Sequence, residues 1–531
     1  MTIRVRSNHR WTICGLGASF VLCLIATAAA QKAAVEDGAT IPPKSNGAAD
    51  PAPRRIPVWV RDARWYEFDV PRFFNGERAN DPPNTAGWFD FEDKVRAVRA
   101  GKETLSPPRE HELSKSAFGG DLQGVRAKLG YLKDLGVNVL SLKNVWEPGE
   151  LRPAASVSAA GADGEQVLIG FLHEAHRMGL RIVLDPVPSK SQDQPVDPAK
   201  ESGILSSIRW MDPNQDGNPG DGVDGWFRPS SGCIPTTELE LWEERVYKLN
   251  PDAMIFGGDI ESQESQRKLR SGFLVDRLEM KTLAEILTGI YGSEKPVRES
   301  GSTLSLSPVS DYRSLSLCAG DAAALSAASG PDSRPSEGQI AQWRLAATLG
   351  YLLPSPPLTV SGDEVGMYGM GEIARAPMWW IDLPGAKEKL PDYREDFREL
   401  IKWLHSRREH YRPIREGSFR VVLADEPHQL FAFARTLPGD EVIVLINYGT
   451  EKRKAIVPTS LPGKMIGVLI PYVAAEKQKP KPGDPPDIRP ATKDVFRVNG
   501  SRQFANDKGE INFWIGPKSA RVIIANEKGP Y

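Results

Sequence analysis

From Val58 onward the chain alternates short apolar runs with stretches whose apolar residues recur every three or four positions. Val137 to Leu142 (VNVLSL) and Arg181 to Asp185 (RIVLD) read as strands buried in a parallel sheet. Leu122 to Leu135 places Val125, Leu129, Leu132 and Leu135 on one side of a helix. The rhythm continues through a helix around Glu238 to Leu249, a strand Ala253 to Phe256, a helix Gln339 to Leu349, a strand Leu358 to Val360 and a helix near Asp396 to Arg408. Helix followed by strand, repeated, predicts an α/β fold with a parallel sheet. Beyond that last helix the pattern changes. VVLADE, LFAFART, EVIVLINY and RVIIAN are strand-like runs with no helix between them, which predicts a C-terminal antiparallel β-domain over 418–531, interrupted by a Pro/Lys-rich loop.

The chain before Val58 carries a different pattern. Arg4, Arg6 and Arg10 precede an apolar run from Trp11 to Ala30 that closes on three alanines, the order of a secretory signal peptide over 1–30. The alternative is an uncleaved anchor, because the run approaches the ~20 residues that span a bilayer. Export to the periplasm or the extracellular space is therefore expected, with membrane contact only through this segment if it stays uncleaved. Neither Cys14 nor Cys23 sits in a lipid-attachment pattern. Residues 31–56, rich in Ala, Pro and Gly without an apolar period, read as a flexible linker.

Composition narrows the function classes. A chain of 531 residues with 40% hydrophobic content has enough material for a large core and a smaller second one. Its formal net charge of −2, falling to −5 without the three arginines of the leader, offers nothing to nucleic acid. Only Cys233 and Cys318 remain beyond the leader, too few for a disulfide scaffold.

Several segments, in order, resemble the alpha-amylase family, glycoside hydrolase family 13, and within it the neopullulanase and cyclomaltodextrinase branch. They are WYEFDVPRFFNGERANDPP (65–83), FGGDLQGVRAKLGYLKDLGVNVLSL (118–142), LRIVLDPV (180–187), WMDPNQDGNPGDGVDGW (210–226), LPSPPLTVSGDEVGMYG (353–369) and RAPMWW (375–380). The resemblance implies an α/β fold of the (β/α)8 TIM-barrel type over 57–417, with a short insertion after the third strand and a C-terminal antiparallel β-sandwich. It also implies action on alpha-glucans such as maltooligosaccharides.

Such chemistry uses a carboxylate nucleophile and a carboxylic acid roughly 5 Å apart. Catalysts of a barrel stand at the C-terminal strand ends. Here most of those positions hold other residues. The Asp-x-Val-x-Asn-His strand of the family reads Asp185-Pro-Val-Pro-Ser189-Lys190, which keeps the aspartate and loses the histidine. The strand that carries arginine and the nucleophile reads Gly225-Trp226-Phe227-Arg228-Pro229, with Phe227 for the arginine and Pro229 for the nucleophile. The strand ending Gly-Glu reads Gly258-Asp259, an acid one methylene shorter, and the motif ending His-Asp reads Ser310-Asp311. Asp185 and Asp311 are retained, and Asp259 is the remaining candidate acid. Loss of a nucleophile costs on the order of a million-fold in rate where it has been measured in a hydrolase triad. The expected outcome is a glucan-binding barrel without retaining hydrolysis. The alternatives are an active hydrolase or transglycosidase with altered residues, in which Asp224, Glu238 or Asp311 serves Asp259 as base, and a partner subunit of a membrane complex.

Further candidates follow from residue type. Trp226, Trp379 and Trp380 are possible stacking faces for sugar rings. Two acidic loops resemble calcium sites: Asp212, Asn214 and Asp216, with oxygens at alternate positions, and the set Asn75, Glu77, Asn80, Asp81, Gly119 and Asp121, which matches a calcium loop of the neopullulanase branch. The competing reading of both is an Asx-rich turn. His173 and His176 share a helix face, but packing or solvent contact is the better reading than a metal pair.

Overall fold

The computed structural model describes residues 57–81, 88–89, 117–146, 164–186, 203–227, 234–256, 316–317, 337–354, 356–367, 377–380, 395–469 and 503–526. The leader, the linker, Cys233, Cys318, Lys190, Pro229, Asp259 and Ser310-Asp311 lie outside these residues. All described elements belong to one compact unit that begins at Arg55.

The protein is an α/β barrel with a C-terminal β domain. The barrel strands are β1 (Trp65–Asp69), β2 (Val139–Lys143), β3 (Arg181–Leu184), β4 (Gly225–Phe227), β5 (Met254–Phe256), β6 (Ser316–Leu317) and β7 (Leu358–Val360). Every neighbouring pair is parallel, in the spatial order β5-β4-β3-β2-β1-β7-β6. Helices α1 (Leu122–Asp134), α3 (Thr236–Leu249), α4 (Glu337–Leu352) and α5 (Glu395–His410) follow the predicted elements to within a few residues at each end, and α2 (Gly164–Arg177) is the helix that carries His173 and His176. The expected insertion after β3 holds two short helical pieces, Gly203–Ser206 and Ser207–Met211, and a turn at Pro219–Asp221.

Strand alternation sorts the side chains into two environments. Tyr66, Phe68, Leu140, Leu142, Ile182, Leu184 and Trp226 face outward into the core beneath the helices. Trp65, Val139, Val183, Phe227, Met254 and Phe256 face the lumen and close on Val60 and Ala63, which plug its N-terminal end. At the C-terminus of α1, Gly136 adopts φ +88°, and a Cβ there would stand 2.9 Å from His405 Cβ on α5. Only glycine lets the two helices approach this closely.

The chain changes to all-β structure at Ser418. Strands β8 (Ser418–Asp425), β9 (Leu430–Leu437), β10 (Asp440–Asn447), β11 (Arg453–Pro458), β12 (Met465–Leu469), β13 (Gln503–Phe504), β14 (Glu510–Ile515) and β15 (Ser519–Asn526) form an antiparallel sheet ordered β8-β9-β10-β15-β12-β13 and a separate β11-β14 pair. One face of β9 and β10, including Phe431, Phe433 and Val444, joins the barrel core. The other, including Leu430, Ile443 and Leu445, covers Ile511 and Ile515 of β14.

Candidate functional site

Period-two alternation carries Glu67 and Asp69 of β1, Ser141 and Lys143 of β2, and Asp185 after β3 to the lumen side, above the apolar plug. Lys143 is the hub. Its Nζ lies 2.8 Å from Asp185 Oδ1 and 3.8 Å from Glu67 Oε2. It also stands 3.6 Å from the centre of the Phe227 ring. Ser141 Oγ donates to Glu67 Oε2 at 3.0 Å. Asn144, which holds a left-handed φ of 58°, donates from Nδ2 to Asp69 Oδ1 at 2.7 Å. Trp146 Nε1 donates to the Asp185 carbonyl at 2.7 Å and fixes the backbone of the retained acid. Among the described residues, the lumen side of the mouth therefore carries three carboxylates and one ammonium over an aromatic floor.

Neither Lys143 nor Glu67 stood out in the sequence. A lysine at the end of an apolar run reads as a strand terminus, and only the barrel closure brings it against Asp185. Phe227 is buried between Trp65 and Phe256, with ring centres at 6.3 and 6.0 Å. The strand end where the resemblance places an arginine thus supplies floor instead. Pro229 and Asp259 follow β4 and β5 in chain order and lie outside the described residues. Asp311 precedes β6 in chain order and lies outside the described residues.

Several candidates belong elsewhere. Trp226 and Trp380 are 0% and 1% exposed and Trp379 is 6% exposed, so these rings have no face for a sugar. Trp226 points outward from β4 against Trp242, and Trp380 is enclosed by Phe73, Phe74 and Tyr131 while its Nε1 donates to the Phe73 carbonyl at 2.6 Å. Alternation decides the first case, since a residue between two lumen positions must face out. Asp224 enters β4 at its N-terminal end, bound by the Ile182 amide at 2.8 Å, Arg181 at 2.5 Å and His176 Nε2 at 2.9 Å, so it cannot act as a base at the mouth. Glu238 sits in the first turn of α3, the helix that follows β4. His173 takes a different carboxylate, Asp221, at 4.0 Å, so the two histidines do not share a metal site.

The two acidic loops are Asx turns in this arrangement. Asp121 caps α1: Oδ1 accepts from the Gly76 and Gly124 amides, and Oδ2 accepts from the Glu77 amide and Asn80 Nδ2. Burial holds its carboxyl above the usual value despite those four donors. Asn75 Nδ2 is spent on Asp81 at 2.8 Å, and Gly119 is buried beside the cap. In the second loop Asp212 accepts from the Asp216 and Gly217 amides, while Asp216 accepts from the Asn218 amide and Asn214 Nδ2. These N–H bonds are the ones an Asx-rich turn makes, the competing reading of both loops. Among the described residues no group of three His, Cys, Asp or Glu side chains gathers as a metal set.

With this geometry in view, the comparisons with known proteins are specific. Neopullulanase 2 of Thermoactinomyces vulgaris is 25% identical over 453 residues, spanning 76% of this chain and 72% of that protein. A cyclomaltodextrinase of Geobacillus thermopakistaniensis (strain MAS1) is 22% identical over 479 residues, spanning 78% and 74%. This chain is a distant relative of the neopullulanase and cyclomaltodextrinase branch of the alpha-amylase family. The solved cyclic alpha-maltosyl-(1→6)-maltose hydrolase of Arthrobacter globiformis has the same fold, with a TM-score of 0.58 at 16% identity over 89% of this chain and all of that one. No family model matches. At the mouth of this barrel, Lys143 and Asp185 form an ion pair over the Phe227 ring.

Proposed function

We propose that this protein binds alpha-glucans without hydrolysing them. The observation that carries the reading is Phe227. It occupies the lumen position that the resemblance assigns to an arginine, packed between Trp65 and Phe256, and the nucleophile position two residues on is Pro229. A proline has no group with which to attack an anomeric carbon. The relatives named for pullulan and cyclomaltodextrin supply the substrate class. Asp259 is the acid on which any residual activity would depend.

The purified protein, incubated with maltooligosaccharides, pullulan and cyclodextrins, is expected to release no reducing ends above buffer. It is also expected to be retarded in a native gel containing amylopectin. Turnover that disappears in Asp259→Ala would overturn the proposal.

The same proposal includes export. Among the described residues no helix is long and apolar enough to cross a membrane, which leaves residues 1–30 as the segment to test. Intact-mass measurement of protein expressed with its own leader should give an N-terminus at Gln31. A mass that retains the leader would point instead to a membrane-anchored protein.

A further inference from the structure

We propose that Lys143 and Asp185 together form a binding pair for neighbouring hydroxyls of a neutral sugar. The proposal rests on the glucan-binding reading and assigns it a residue outside every motif that carries the resemblance's chemistry. A sugar hydroxyl is donor and acceptor at once, so two adjacent hydroxyls are matched by one site that accepts beside one that donates. Asp185 uses Oδ1 for Lys143 at 2.8 Å, and its side chain is 43% exposed, leaving Oδ2 to accept. The ammonium has three N–H groups. One is directed to Asp185, and its other carboxylate neighbour, Glu67, stands beyond hydrogen-bond range at 3.8 Å. Among the described residues, donors therefore remain for a ligand on the exposed side.

The pair is held in place before any ligand arrives. Lys143 is paired in register with Asp69 of β1. The next residue, Asn144, is tied to Asp69 through its side chain. Trp146 holds the Asp185 carbonyl, and the Phe227 ring lies beneath the ammonium and stops it from retracting into the lumen. Little side-chain freedom is left to lose on binding, which favours affinity. With Glu67 and Asp69 beside the pair, carboxylates outnumber the ammonium among the described residues, so the site disfavours an anionic ligand. Hydrogen bonds from the ammonium and to the carboxylate are charge-assisted and outlast competition with water better than neutral ones.

Isothermal titration of the full-length protein with maltoheptaose tests this. Lys143→Met, which keeps the stem and removes the charge, is expected to weaken binding about tenfold or more, and Asp185→Ala about as much. Lys143→Arg keeps donors beside Asp185 and is expected to stay within about threefold of the parent. Thermal melts of each variant establish that the fold is retained, and Lys143→Arg separates loss of the donor from loss of packing. Binding by Lys143→Met within about twofold of the parent would overturn the pair and leave the glucan reading intact. Absence of maltoheptaose binding by the unaltered protein would overturn both.

Discussion

Restoring the family's residues on β4 and β5 is expected to unfold the barrel rather than revive it. Phe227→Arg removes a ring that is 6% exposed and packed against Trp65 and Phe256. It places a guanidinium beside Lys143, whose ammonium lies 3.6 Å from that ring centre. A buried second cation adds like-charge repulsion and desolvation to the lost packing, so the cost is about 3 to 5 kcal/mol. Denaturant unfolding measures it directly. Combined with Pro229→Asp and Asp259→Glu, the substitution should still give no hydrolysis of maltooligosaccharides. Adding Lys143→Asn relieves the repulsion and should recover a measurable part of the lost stability. Robust hydrolysis by the triple variant, or full stability of Phe227→Arg alone, would contradict this account of the mouth.

Acid stability should hinge on one buried histidine. His405 on α5 is 0% exposed and its Nδ1 donates to the Leu135 carbonyl at 2.8 Å. Burial, reinforced by the nearby Arg64 and Arg408 guanidiniums and partly offset by the Leu135 bond, pushes its pKa from 6.5 to about 3. The folded state binds the proton less readily than the unfolded chain. The contribution of His405 is therefore complete above pH 6.5 and is lost as pH falls toward 3, a total of about 5 kcal/mol.

Glu364 works in the opposite direction. Its carboxyl, fully buried and accepting from Tyr66, Tyr131 and the Gly362 amide, is pushed up from 4.5 to about 6, chiefly by burial. Its contribution of about 2 kcal/mol is present below pH 4.5 and lost as pH rises through 6. Between pH 6 and 4.5 the two slopes nearly cancel, and below 4.5 only the histidine acts. The expected profile is a shoulder followed by a steep fall. In His405→Leu the starting stability is lower but the fall is shallower, so the gap between parent and variant should close by several kcal/mol toward pH 3. A gap independent of pH would remove His405 from the explanation.

Much of the fold was legible because it depends on local pattern. The stripe of Val125, Leu129 and Leu132 marked α1, and the run at Leu358–Val360 marked β7 with its bounds intact. The change from alternating elements to strands alone located the β-domain. The candidate site was legible only as a list of substitutions. Phe227 and Pro229 depart by residue type alone from what the resemblance implies at those positions. The tryptophans were misjudged because ring burial, like the set of donors around a carboxylate, is decided by neighbours far along the chain. Trp380, for example, is walled in by Phe73 and Tyr131, and Asp121 accepts from an amide at position 76.

By itself, then, the sequence determined the class of fold and the order of its elements. Each follows from side-chain type and short-range periodicity. Only the tertiary structure decided what stands at the mouth. Lys143, Asp185, Glu67 and Phe227 come from four strands separated by helices. Their encounter is created by parallel pairing and by the alternation that turns every second side chain into the lumen. A charge at a strand end has no partner in the sequence. Closing the barrel puts one 2.8 Å away.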